Sequence, residues 1–179
     1  MRIDAQGLLV GGDYVPSPNF DERPAGAIDL LVIHNISLPP DEFGGDGVQR
    51  LFTNTLDAEA HPYYRTIAGL KVSAHFFIRR DGRLIQFVPC SKRAWHAGVS
   101  AWQGRERCND FSVGLELEGC DTLPFTDAQY EMLHCLTLAL RAAYPLRGIA
   151  GHSDIAPQRK TDPGPHFNWL RYLSGLCDA

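Results

Sequence analysis

A chain of 179 residues, 44% hydrophobic and 21% charged, is long enough for one domain with a real core and is not composed like a disordered segment. Its formal net charge of −4, with basic residues scattered, excludes an electrostatic nucleic-acid binder. No apolar window of ~18 residues offers a membrane span. With Met1 as the native start, Asp4, Gln6 and Asp13 break the apolar stretch of roughly 7–15 residues that a secretory signal needs, so a cytoplasmic location is expected.

Residues 30–35 (LLVIHN) form a short apolar run that predicts a buried strand. Residues 39–47 (PPDEFGGDG) are rich in breakers and read as a loop. Val48, Leu51, Phe52 and Thr55 have helical spacing, which predicts a short helix over 48–55. Residues 72–88 hold two strand-like runs around Asp81-Gly82, a pair that favours a tight two-residue hairpin turn. Residues 112–118 (SVGLELE) alternate, with Val113, Leu115 and Leu117 on one face and Gly114, Glu116 and Glu118 on the other.

Residues 126–144 carry the strongest helix pattern. Thr126 and Gln129 fit a capping box, Phe125 and Tyr130 take the staple positions, and Pro145 ends the helix. A strand over 148–152 would deliver His152 to a loop, and a helix over 168–176 would use Asn168 as its cap. The expected fold is α/β: a mixed central β-sheet flanked by α-helices, one domain over 1–179 with a core of about 16–176. The cysteines Cys90, Cys108, Cys120, Cys135 and Cys177 are odd in number and form no CxxC pair. That fits reduced thiols used as small core fillers.

Two regions carry chemistry. His34 ends a buried strand, where a polar residue reaches the sheet rim as either a ligand or a hydrogen-bonded rim histidine. Residues 151–165 (GHSDIAPQRKTDPGP) gather His152, Asp154, Lys160 and Asp162 on a loop stiffened by prolines. Two imidazoles and one carboxylate would suit zinc and leave a fourth position open. Glu116 or Glu118 could supply a general base, and alternation does not choose between them. No HExxH, GxSxG elbow, phosphate loop, dinucleotide fingerprint or deaminase pattern occurs.

Taken together, VPSPNF, LLVIHNISLPP, FGG, HPYY, VSAHFFIRRDG, RAWHAGVS, GRERCNDFSVGLELEG, FTDAQY and GHSDIAPQRKTDPGP resemble the N-acetylmuramoyl-L-alanine amidases. These share the peptidoglycan-recognition, phage-lysozyme-like zinc amidase fold. The likeness is strongest to the cytoplasmic enzymes acting on 1,6-anhydro-N-acetylmuramoyl peptides, and it spans about Pro16 to Trp169.

The resemblance implies one Zn²⁺ on His34, His152 and Asp162, with Glu116 as catalytic base and Lys160 stabilising the oxyanion. It implies a substrate groove lined by Asn35, Tyr63, Trp95, His96, Arg107 and Asn109, where the Arg107 guanidinium suits stem-peptide carboxylates. Lys71 stands where arginine is usual, keeping the charge but losing the planar fork. His75 reads as second shell or as a packed histidine, and His61, His134 and His166 as structural. The implied partner is an anhydromuropeptide substrate, with no nucleic acid, membrane or obligate protein partner. The alternatives are a muropeptide-binding module without activity and a broader murein amidase outside the cytoplasm.

Overall fold

The computed structural model describes residues 1–176, so Cys177 lies outside the described residues. The elements in chain order are β1 (Asp13–Tyr14), β2 (Phe20–Glu22), β3 (Leu30–Ile36), α1 (Gly47–Phe52), α2 (Pro62–Thr66), β4 (Phe76–Ile78), β5 (Leu84–Gln86), β6 (Lys92–Ala94), β7 (Ala101–Trp102), β8 (Arg105–Glu106), β9 (Ser112–Glu118), α3 (Asp127–Ala143), β10 (Gly148–Gly151), α4 (His152–Ile155) and α5 (Trp169–Ser174).

Among the described residues the main sheet has six strands in the order β1-β5-β4-β9-β3-β10. β3, β4, β9 and β10 run parallel, and β4 pairs antiparallel with β5, so the sheet is mixed as expected. The LLVIH run and the whole of β9 are buried, as strands covered on both faces must be.

Alternation along β3 and β9 sorts the side chains. Leu31, Ile33, Val113, Leu115 and Leu117 pack with Leu133, Leu136 and Leu140 of α3 and Tyr172 of α5. Each such buried side chain contributes about 1.5–3 kcal/mol. The opposite face carries Leu30, Val32 and His34, paired in register with Ser112, Gly114 and Glu116. That face turns polar at its carboxyl end, and the site forms there.

The capping box of α3 is present, with Thr126 accepting from the Gln129 amide and the Gln129 side chain accepting from the Thr126 amide. Tyr144, held extended before Pro145, stops the helix. Asn168 caps α5 by accepting from the Arg171 amide at 2.9 Å. α1 ends at Phe52, before the expected Thr55, where Asn54 takes a left-handed φ of 58°.

The hairpin differs from expectation by one residue. Gly82 N–H donates to the Arg79 carbonyl at 2.9 Å, and Arg79 N–H donates to the Arg83 carbonyl at 2.9 Å. Arg80 and Asp81 are therefore the central turn residues, and Gly82, at φ 84°, is the left-handed residue of a three-residue loop.

Candidate active site

Three segments meet at the rim. His34 is the fifth residue of β3, His152 follows β10, and Asp162 comes from the proline-rich loop. β3 and β10 are parallel neighbours, so the two histidines emerge side by side. Gly151 lets the loop come close: a Cβ there would sit 2.7 Å from Pro163 Cδ. Ser153 N–H, donating to the Asp162 carbonyl at 2.9 Å, ties the loop down.

His34 Nδ1 lies 2.9 Å from His152 Nδ1, and each lies 3.0 Å from Asp162 Oδ2. Both histidines are buried, and the Asp162 side chain is 13% exposed. The far sides of both rings also have partners. His152 Nε2 is 3.1 Å from the Ala97 carbonyl, which can only accept, so this nitrogen carries the hydrogen. His34 Nε2 is 2.9 Å from His96 Nδ1. Burial, partly opposed by the neighbouring Asp162 carboxylate, pushes the His34 imidazolium down to about 4, so the ring is neutral near pH 7.

Lone-pair atoms thus converge on one point, a donor set that calls for a cation between them. Two ligands on a tetrahedral ion with bonds of about 2.0–2.1 Å stand about 3.3 Å apart, close to the triangle seen here. Among the described residues, His34, His152 and Asp162 are the group able to hold a metal ion.

Glu116 faces this point from the neighbouring strand. It is buried, and its Oε2 has no hydrogen-bond partner among the described residues. Burial, then the Asp162 charge, pushes its carboxyl well above the usual range, and Lys160 pulls the other way. Glu118, two residues on, is fully engaged. Its oxygens accept from Gly44 N–H at 2.7 Å and Arg80 N–H at 2.9 Å, tying the 39–47 loop and the hairpin turn to β9.

A cavity of about 250 Å³ opens over these groups. It brings together His34, His152, Asp162, Glu116, Lys160, Asn35, Tyr63, Trp95 and His96, with Leu70 and Val72 on its apolar wall. Other expected groove residues are elsewhere. Arg107 and Asn109 line a separate cavity of about 690 Å³ with Arg93 and Arg159. Arg107 is exposed there and pairs with Asp110 at 3.2 Å. Lys71 lines a third, small cavity beside Leu70.

Several of the expected contact residues brace the protein internally. Asn35 Nδ2 donates to Asp121 Oδ1 at 2.8 Å and to the Pro163 carbonyl at 3.0 Å, steadying the loop that carries Asp162. Asn109 Oδ1 accepts from Ala97 N–H at 2.8 Å and His96 N–H at 3.3 Å. The dipeptide His96-Ala97 therefore backs both histidines of the triad and is itself held by Asn109.

His75 is a packed histidine. Its Nδ1 accepts from Gly114 N–H at 3.0 Å, and its Nε2 lies 3.1 Å from the Lys92 carbonyl. His61 caps α2, and His134 bonds the Tyr172 carbonyl. Sequence reasoning did not single out Ser112, Arg159 or Asp121. Ser112 alone left a signal: the S-x-G-x-E spacing puts it on the face that carries Glu116.

The family model described as N-acetylmuramoyl-L-alanine amidase matches residues 24–165. The 1,6-anhydro-N-acetylmuramyl-L-alanine amidase AmpD of Escherichia coli strain K12 is 61% identical over 170 residues, covering 93% of each chain. A crystal structure of a selenomethionine AmpD derivative superposes with a TM-score of 0.95 at 57% identity, covering 98% of this chain and 99% of that one. The amidase AmiD of Escherichia coli was solved with anhydro-N-acetylmuramic acid-L-Ala-D-gamma-Glu-L-Lys. It matches with a TM-score of 0.61 at 30% identity, over 88% of this chain and 65% of that one. The chain belongs to the N-acetylmuramoyl-L-alanine amidase family.

Proposed function

We propose that the protein hydrolyses the amide bond between 1,6-anhydro-N-acetylmuramic acid and L-alanine in muropeptides, using one zinc ion held by His34, His152 and Asp162. The observation that carries this is the convergence of three lone-pair atoms at 2.9–3.0 Å beside the unpartnered Oε2 of Glu116. Further support comes from the substrate named for the 61%-identical relative and from the anhydromuropeptide bound in the AmiD structure.

The ion, when bound, supplies Lewis acidity to the scissile carbonyl and to the attacking water. Glu116 takes the water's proton and returns it to the leaving nitrogen. A buried carboxyl with a raised pKa suits a group that must both accept and release a proton near neutrality. Lys160, on the loop between Pro157 and Pro163, lines the same cavity and donates to the oxygen that gains charge. Such a contact contributes about 2.7–4 kcal/mol to the transition state. Tyr63 and Trp95 line the cavity that would take the substrate. Arg107 is exposed in the separate larger cavity, and its guanidinium suits the carboxylates of a stem peptide.

Among the described residues no helix is long and apolar enough to cross a membrane. The kinship supports a cytoplasmic role in peptidoglycan recycling, where removing muropeptides restrains β-lactamase induction. The test is zinc content and peptide release from anhydromuropeptide for Glu116→Ala and Asp162→Ala. Glu116→Ala should keep zinc and lose activity, and Asp162→Ala should lose both. Full activity in both variants would refute the reading, and binding without release by the unaltered protein would make it a recognition module.

A further inference from the structure

The hydrogen bonds behind His34 form a chain with one direction. It starts at the Cys108 carbonyl, which can only accept. Ser112 Oγ lies 2.6 Å from it, so the hydroxyl proton is committed there. The hydroxyl oxygen must then accept from its other partner, His96 Nε2, at 3.1 Å. A neutral His96 with its proton on Nε2 presents a lone pair at Nδ1. That lone pair faces His34 Nε2 at 2.9 Å, so His34 donates. The last consequence is a bare Nδ1 on His34, aimed between His152 and Asp162.

The backbone is shaped around this chain. Gly114 lies between Ser112 and Glu116 on the same strand face, and a Cβ there would stand 2.3 Å from His96 Cγ. The His96 ring occupies the space that any side chain at position 114 would need. Asn109 fixes the His96 backbone from the other side.

We infer that Ser112 and His96 are positioning residues that set the tautomer and ring orientation of His34. The inference rests on the reading of His34, His152 and Asp162 as metal ligands. Ligating histidines are ordinarily backed by a carboxylate or carbonyl, and such outer partners are worth about 10–100-fold in metal affinity. Here a neutral imidazole does that work and adds no charge, while Ser112 supplies the direction that a carboxylate would have imposed.

Long-range ¹H–¹⁵N spectra of the histidine rings test this on the full chain, zinc-loaded and after chelation. The result expected is Nε2–H on both His34 and His96 in the chelated protein. Ser112→Ala should mix the His96 tautomers in the chelated protein and weaken zinc about 10–100-fold in chelator competition. Ser112→Thr, which keeps the hydroxyl, should restore both. A proton on Nδ1 of His96 in the unaltered protein overturns the inference, as does unchanged zinc affinity in Ser112→Ala. If Ser112→Ala does not fold, the spectrum of the unaltered protein decides. Failure of zinc to bind the unaltered protein counts against the metal site, while the chelated spectrum still reads the relay.

Discussion

His34 and Glu116 are register partners on adjacent parallel strands, β3 and β9. One side chain joins the triad of lone-pair donors, and the other brings a buried carboxyl oxygen with no partner among the described residues. The ladder fixes the separation of these two residues.

Replacing Glu116 separates chemistry from folding. Glu116→Gln keeps the shape and removes the titrating group. Peptide release should fall about 10²–10⁴-fold. Zinc content should stay at the unaltered level and thermal stability should not fall, because the carboxyl makes no stabilising hydrogen bond through Oε2. Activity assays beside metal analysis check this.

Gly114 should tolerate no side chain. Gly114→Ala puts a methyl group into the His96 ring, and overpacking of this kind costs about 1–3 kcal/mol. Urea unfolding should show that loss. Zinc affinity should fall with it, because the ring that moves is the one behind His34.

Asn109 separates a bracing role from a substrate contact. Asn109→Ala leaves two amide hydrogens, of His96 and Ala97, without their acceptor. An unsatisfied buried group costs about 1–3 kcal/mol, so both unfolding and metal retention should suffer. Asn109→Asp keeps an acceptor oxygen and should recover most of the loss. A change confined to KM would instead assign Asn109 to the groove alone.

His75 predicts a pH dependence of stability. Burial, reinforced by the Arg23 charge, pushes its pKa down to about 3, against roughly 6.5 in an unfolded chain. Above pH 6.5 both states are neutral there, and the stability is fully present. As pH falls from 6.5 toward 3, the unfolded chain takes a proton that the folded protein refuses. Stability then drops by about 1.4 kcal/mol per pH unit from this group. Below about 3 the loss levels off. Denaturant titrations of the unaltered protein and His75→Gln at pH 7 and pH 4.5 should show a shallower loss in the variant.

Much of this was legible where the signal is local. The LLVIH run, the Thr126–Gln129 capping box and the Asn168 cap lie within a few residues of their partners. The hairpin turn was off by one because Asp-Gly suits two turn geometries, and only the pairing of Arg79 with Arg83 chooses between them. Alternation left Glu116 and Glu118 equivalent; the amides of Gly44 and Arg80, distant in sequence, engage Glu118 and leave Glu116 free. His96 and Asn109 stood out by family likeness as groove residues. Their bracing role was hidden because it depends on contacts of His96 with residues 34 and 112, and of Asn109 with the amides of 96 and 97, that only the folded chain brings together.

The most direct test of the account is peptide release from anhydromuropeptide by the purified protein as isolated, after chelation, and after zinc is restored. One zinc per chain is expected, with activity lost on chelation and regained with one equivalent of zinc. Undiminished hydrolysis by the metal-free protein would contradict it.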